Sequence, residues 1–241
     1  MTNASLASQL EAGLKLSRPP VAAAWVDAAP EGVDVIDRQV PSSCALWTLA
    51  ERGAFYAPAA THANCPVGAM TMGFELGEDT RDNLMAVVQK MIGHGYLAAD
   101  EPPAIPKVEA PAQGVVYGPL AEFPLDPDVV LMWIAPASTM LFNEASGQAA
   151  WTGSRAGALG RPTCAALPQA MNTGQPATSL GCAGMRTFTG VGDDLLLGVL
   201  PGPELSRFVD ALRETLDANA AMQEFYDAQQ ARFAGAGDRL A

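Results

Sequence analysis

Four cysteines hold most of the reactive chemistry in this sequence. Cys44 follows Pro-Ser-Ser and Cys164 follows Pro-Thr, both of which read as helix starts. Cys65 and Cys182 lie in the Gly-rich stretches NCPVGAMTMG (64–73) and GCAGMRTFTG (181–190). A thiol in the first turn of a helix is favoured as thiolate by the macrodipole and the free N–H groups there. Backbone amides of a Gly-rich turn can point at a sulfur or an anion, and a Cys-Pro step such as Cys65-Pro66 also occurs at iron–sulfur ligands. The leading expectation is therefore a four-thiolate site for an iron–sulfur cluster, 4Fe–4S in type, with zinc as the lesser alternative. The competing readings are a cofactor-free thiol enzyme with a nucleophilic and a resolving Cys, a pair of disulfides, and four small buried hydrophobes with no metal. No Cys-x-x-Cys pair is present, and that spacing is what marks a metal site from sequence alone.

Two polar residues near these motifs are candidates for binding substrate or supporting the thiols. His62, three residues before Cys65, suits a metal ligand or an acid/base, against the plainer reading of a solvated loop histidine. Arg186 suits an anionic substrate group, against a surface arginine paired with Asp193 or Asp194. His94, flanked by glycines, reads as a partner of a helix C-terminus. Met70, Met72, Met171 and Met185 lie near the Cys motifs and with thiolates would suit copper(I), although methionines commonly fill gaps. Trp25 and Trp133 read as core. No GxGxxG, P-loop, Gly-x-Ser-x-Gly or His-Glu-x-x-His pattern occurs.

The chain has 241 residues, 14 Lys+Arg against 26 Asp+Glu and a formal net charge of −12. That excess argues against non-specific nucleic-acid binding and against docking on anionic membranes. With 49% hydrophobic residues the chain can build a sizeable core. Four cysteines are too few for a disulfide-dense secreted scaffold, the first 14 residues lack a basic and a long apolar region, and no run is long enough to span a bilayer. The expectation is a cytoplasmic protein with reduced thiols. Its partner would be a small-molecule ligand or a redox protein, and self-association stays open.

These residues must be positioned by elements that the pattern also predicts. A helix is expected over 5–14, strands over 21–26, 115–117, 129–134 and 195–200, and a helix from a Ser42 or Ser43 cap through Glu51. The stretch 65–77 reads as loop and turn. Residues 81–96 form an amphipathic helix with Leu84, Val87, Val88, Met91 and Ile92 on one face. DEPPAIPKVEAP (100–111) reads as a connector, 146–160 as an exposed loop, a long helix starts at Pro203, and the tail frays from Ala234. The two halves also match in order. PPVAAAWV (19–26) resembles PDVVLMWI (127–134), PSSCAL (41–46) resembles PTCAAL (162–167), and the two Gly-rich Cys stretches each reach Gly eight residues past the Cys. An amphipathic helix closes each half. The expected fold is thus α/β (or α+β), two similar lobes from an internal duplication with a mixed sheet and flanking helices. The boundaries are 1–100 for the first half, 101–112 for the connector and 113–241 for the second half, packed as one compact unit.

The series PSSCALW, HANCPVGA, VVYGPL, PDVV, GRPTCAALP and SLGCAGMRTFTG resembles the domain-of-unknown-function 169 family of bacterial and archaeal proteins, over most of the chain. The Cys-centred motifs match that family's signatures, which implies a shared site at Cys44, Cys65, Cys164 and Cys182. The resemblance implies no ligand or reaction. The functional expectation is an iron–sulfur site between two repeat halves, for redox or for small anionic or sulfur-containing substrates. The alternatives are a thiol enzyme and a non-catalytic small-ligand-binding protein.

Overall fold

Val129–Ile134 is apolar at all six positions because both faces of the strand it forms are covered. In the structure, a computed structural model that describes residues 1–110, 112–147 and 159–233, it is β5, near the middle of a seven-stranded sheet. The strands are β1 (Val21–Val26), β2 (Asp34–Val35), β3 (Phe55–Pro58), β4 (Gly114–Pro119), β5 (Val129–Ile134), β6 (Ala177–Ser179) and β7 (Leu196–Pro201), in the order β2-β3-β4-β1-β5-β7-β6. Neighbours are antiparallel except for β2 and β3. An isolated bridge between Leu159 and Ser179 adds one more parallel pairing outside β6.

Helices cover both faces. Side chains alternate along β5, with Val129, Leu131 and Trp133 in one buried cluster and Val130, Met132 and Ile134 in the other. The second cluster is closed by α1 (Asn3–Leu14), α5 (Pro136–Ala145) and α8 (Leu205–Phe233), through Leu6, Leu10, Phe142, Phe208 and Leu212. Burying each such side chain contributes about 1.5–3 kcal/mol. The opposite face is closed by α2 (Cys44–Ala50), α3 (Pro66–Thr71), α6 (Ala166–Thr173) and α7 (Ala183–Thr189). All four cysteines lie on or just before these four helices. One helix, α4 (Glu78–Gly93), lies further out and packs against α3. Among the described residues no helix is long and apolar enough to cross a membrane.

Several expectations change in the structure. Residues 65–77 are not all loop: Pro66 opens α3, because proline's missing N–H costs nothing in a helix's first turn. The same holds for α5, which starts at Pro136 and follows β5 directly. The second Gly-rich stretch likewise contains α7, ended by Gly190 at φ +64°. Ser43 does not cap α2 with its side chain. Its backbone is itself helical, and Ala45 and Leu46 donate to the carbonyls of Ser42 and Ser43 instead. The loop expected over 146–160 falls mostly, and the tail from Ala234 entirely, outside the described residues.

The sheet order has a regularity. Outward from β1 run β4, β3 and β2, and outward from β5 run β7, β6 and the Leu159 bridge. In chain order these are first, fourth, third and second within each set. The helices expected to close each half are not in corresponding places, however. α4 precedes β4, whereas α8 follows β7 and packs against α1 and α5.

Candidate functional site

Each cysteine is set by a short element on the same side of the sheet. Cys44 is the first residue of α2, and Cys164 lies in a 3-10 turn, Thr163–Ala165, that runs into α6. Both are buried, at 6% and 4% exposure. Cys65 and Cys182 are the residues immediately before α3 and α7, and both are partly exposed. The Cys182 Sγ accepts the Met185 N–H at 3.5 Å. Gly68 lets α3 come close: a Cβ there would collide with the Ser43 side chain and stand 3.0 Å from the Cys65 Sγ.

All four cysteines are free and line one cavity of about 370 Å³. Burial pushes the Cys164 thiol up to about 12, with the neighbouring Cys65 and Cys182 adding to the shift. The Cys44 thiol is raised well above its ordinary value, first by burial and then by Cys164, Cys182 and Cys65. Negative charge on the neighbouring thiols therefore opposes ionisation of Cys44 and Cys164, and both of these buried thiols keep their protons at neutral pH.

The rest of the wall is mostly apolar, with Ser42, Asn64 and Tyr96 the uncharged polar side chains on it. Leu84, Val87, Val88 and Met91 of α4 face the cavity, so the apolar stripe that the sequence predicts covers a void and not the sheet. Pro102 and Ile105 of the connector, Val67 of α3 and Phe188 of α7 extend this surface. Among the described residues Arg161 is the only charged side chain on the lining. Its guanidinium lies over the Tyr96 ring at 4.9 Å and 3.4 Å from the Glu101 carboxylate. The Tyr96 hydroxyl accepts the Ala183 N–H at 3.3 Å, joining the end of α4 to the start of α7.

The two polar candidates do not line this cavity. His62 is fully buried, with Nδ1 3.1 Å from the Ser43 hydroxyl and its ring against Phe74 and Tyr117. Its Nε2 is buried without a hydrogen-bond partner, and burial pushes its pKa down to about 3. It braces the turn behind Cys44 as a neutral ring. Arg186 donates to the carbonyls of Leu180, Gly192 and Leu195 and lies 3.9 Å from Asp193. It ties α7 to the turns on either side of it, and it is not among the residues that line the cavity. Met70 and Met185 line the cavity, while Met72 is fully buried in the core. Sequence reasoning missed Arg161 and Tyr96 as a pair, because 65 residues separate them and only the fold brings them together.

Among the described residues no group of three or more His, Cys, Asp or Glu side chains is gathered closely enough to hold a metal ion. The donor set is mainly soft: four thiols and two thioethers, joined by the oxygens of Ser42, Asn64 and Tyr96, with no carboxylate or imidazole on the lining among the described residues.

The model of the DUF169 family, described as an uncharacterised ArCR family, matches residues 9–211. No curated protein and no solved structure matches the chain.

Proposed function

The chain belongs to the DUF169 family, and from that footing we propose that Cys44, Cys65, Cys164 and Cys182 hold an iron–sulfur cluster of the 4Fe–4S type. The observation that carries this reading is the convergence of all four thiols, from four separate elements, on one cavity whose lining holds no carboxylate or imidazole among the described residues. A single tetrahedral zinc, with Zn–S bonds of about 2.3 Å, needs its sulfurs drawn tightly together. A cluster spreads its ligands further apart, as four thiols brought to one cavity from four separate elements would allow. Thiols must lose their protons to ligate, so Cys44 and Cys164, protonated while no metal is bound, release theirs on loading. Such a cluster would supply one-electron transfer or, if one of the four cysteines is not a ligand and its iron is left open, a binding point for a small anionic or sulfur-containing substrate.

The order of the strands supports an internal duplication as the origin of this site. Cys44 precedes β3 as Cys164 precedes β6, and Cys65 precedes β4 as Cys182 precedes β7. A pseudo-twofold axis between β1 and β5 would bring the paired positions toward each other. Residues 78–110, with α4 and the connector, have no counterpart between α7 and β7 and read as an insertion in the first unit.

Anaerobic purification followed by iron and acid-labile sulfide analysis tests the proposal. The expected result is a coloured protein with comparable amounts of both, lost on Cys→Ser substitution at any of the four positions. A colourless chain without iron, even after reconstitution, overturns it. The partial exposure of Cys65 and Cys182 favours one second reading, a thiol enzyme whose nucleophile is one of those two. It predicts no iron, and alkylation of one of them far faster than of Cys44 or Cys164.

A further inference from the structure

The cavity is larger and more apolar than four thiols require. Its volume of about 370 Å³ is in the range of small-molecule pockets, which are mostly apolar with a few placed polar groups. The apolar stripe of α4 would ordinarily be buried against a core. Here Val87, Val88 and Met91 remain partly exposed because the cavity lies in front of them. Phe188, across from them on α7, is 46% exposed. In a chain of net charge −12, the lining carries no acidic side chain among the described residues, and its one charge is Arg161.

We propose that this cavity binds an apolar small molecule bearing a single anionic group, a carboxylate matching best. The anionic end lies on Arg161, and the apolar body lies along α4 toward the cysteines. The inference deepens the proposed function: it rests on that reading only for what the bound molecule meets at the thiol end. The guanidinium is suited to the task, because its planar fork matches a carboxylate bidentately. It is also pre-positioned, stacked on Tyr96 and steered by Glu101. The Arg161–Glu101 pair is itself well exposed, with side chains at 38% and 45%, so it is weak and a ligand carboxylate can share or replace it. A single cation on a mostly apolar lining does not suit a nucleotide or any other polyanion. The apolar wall of α4 and the connector belongs to the segment without a counterpart in the second half, while Arg161 and Phe188 come from that second half, so both halves build the specificity as both supply thiols.

Two fluorescent probes of similar shape test this: the monoanion 8-anilinonaphthalene-1-sulfonate and the uncharged N-phenyl-1-naphthylamine. Both are expected to bind saturably at one per chain. Arg161→Gln should weaken the anionic probe by about tenfold or more, as for a lost hydrogen bond to a charged group, and leave the neutral one nearly unchanged. Gly184→Leu projects from α7 into the cavity, where a Cβ meets no atom within 4 Å, and should weaken both probes with the melting temperature preserved. Absence of saturable binding, or equal weakening of both probes by Arg161→Gln, overturns the inference. Iron analysis on the same preparations separates the two proposals. Probe discrimination in a chain that takes up no iron refutes the cluster and keeps the ligand, and the reverse result refutes the ligand and keeps the cluster.

Discussion

His62 is a histidine only by name at neutral pH: buried, unprotonated and holding the Ser43 hydroxyl behind Cys44. Its consequence is a pH dependence of stability. An unfolded histidine takes a proton near pH 6.5, while the folded one does so only near pH 3. The unfolded chain therefore binds more protons below 6.5, and the stability present above that pH is lost as pH falls toward 3. The slope approaches about 1.4 kcal/mol per pH unit for one proton. Urea unfolding at pH 6.5 and pH 5 should show the wild type losing about 2 kcal/mol more than His62→Gln; parallel losses in the two proteins would refute the assignment. The sequence marked the position but not this role. A histidine three residues from a cysteine looks like a ligand, and only Phe74 and Tyr117, brought in by packing, make it a buried neutral brace. For Arg186 the pairing with Asp193 that the sequence suggests is present at 3.9 Å, whereas the carbonyls that engage it are presented by a turn that no local pattern shows.

At the scale of elements, the strands β1, β5 and β7 and the helices α1 and α8 were legible because each is a long periodic or continuous apolar run. The short helices α3 and α7 were not, since six or seven residues rich in Gly carry no helical period. Their glycines nevertheless give a sharp contrast. Gly68 and Gly184 both sit inside helices, where Ala is ordinarily preferred to Gly by about 0.5–1 kcal/mol. Around Gly68 a methyl group would strike Ser43 and crowd the Cys65 Sγ, whereas around Gly184 it meets nothing. Gly184→Ala should therefore be neutral or stabilising, and Gly68→Ala should cost about 1–3 kcal/mol as an overpacked core does. Gly68→Ala should also displace Cys65 and lower iron content under the proposed function. Thermal unfolding of the two variants decides it: equal shifts in both would mean that α3 and Cys65 are not held as tightly as the packing around Gly68 requires.

Across the whole molecule, the Pro-rich connector divides the sequence without dividing the hydrogen-bonded sheet. β4 follows the connector, yet it pairs with β1 on one side and β3 on the other, both of which precede it. β1 pairs in turn with β5, also from the later half. A chain ending at residue 100 would leave the facing edges of β1 and β3 without the strand between them and would expose the apolar faces that β4 and β5 cover. Unpaired buried edges of this kind cannot be satisfied by water without opening the core. Fragments 1–100 and 113–241 are thus expected to lack cooperative unfolding when produced separately, and the intact chain should unfold in one transition. Far-UV circular dichroism and the fluorescence of Trp47 and Trp133, whose rings lie 6.2 Å apart from opposite halves of the chain, should then report the same urea midpoint. Two separated midpoints, or a fragment 1–100 that folds alone, would mean that the halves are independent and that the cysteines converge by docking. A single midpoint means that the four thiols are placed by one continuous sheet, so under the proposed function a destabilising change on the face of α1, α5 and α8, remote from every cysteine, should lower iron retention and global stability together.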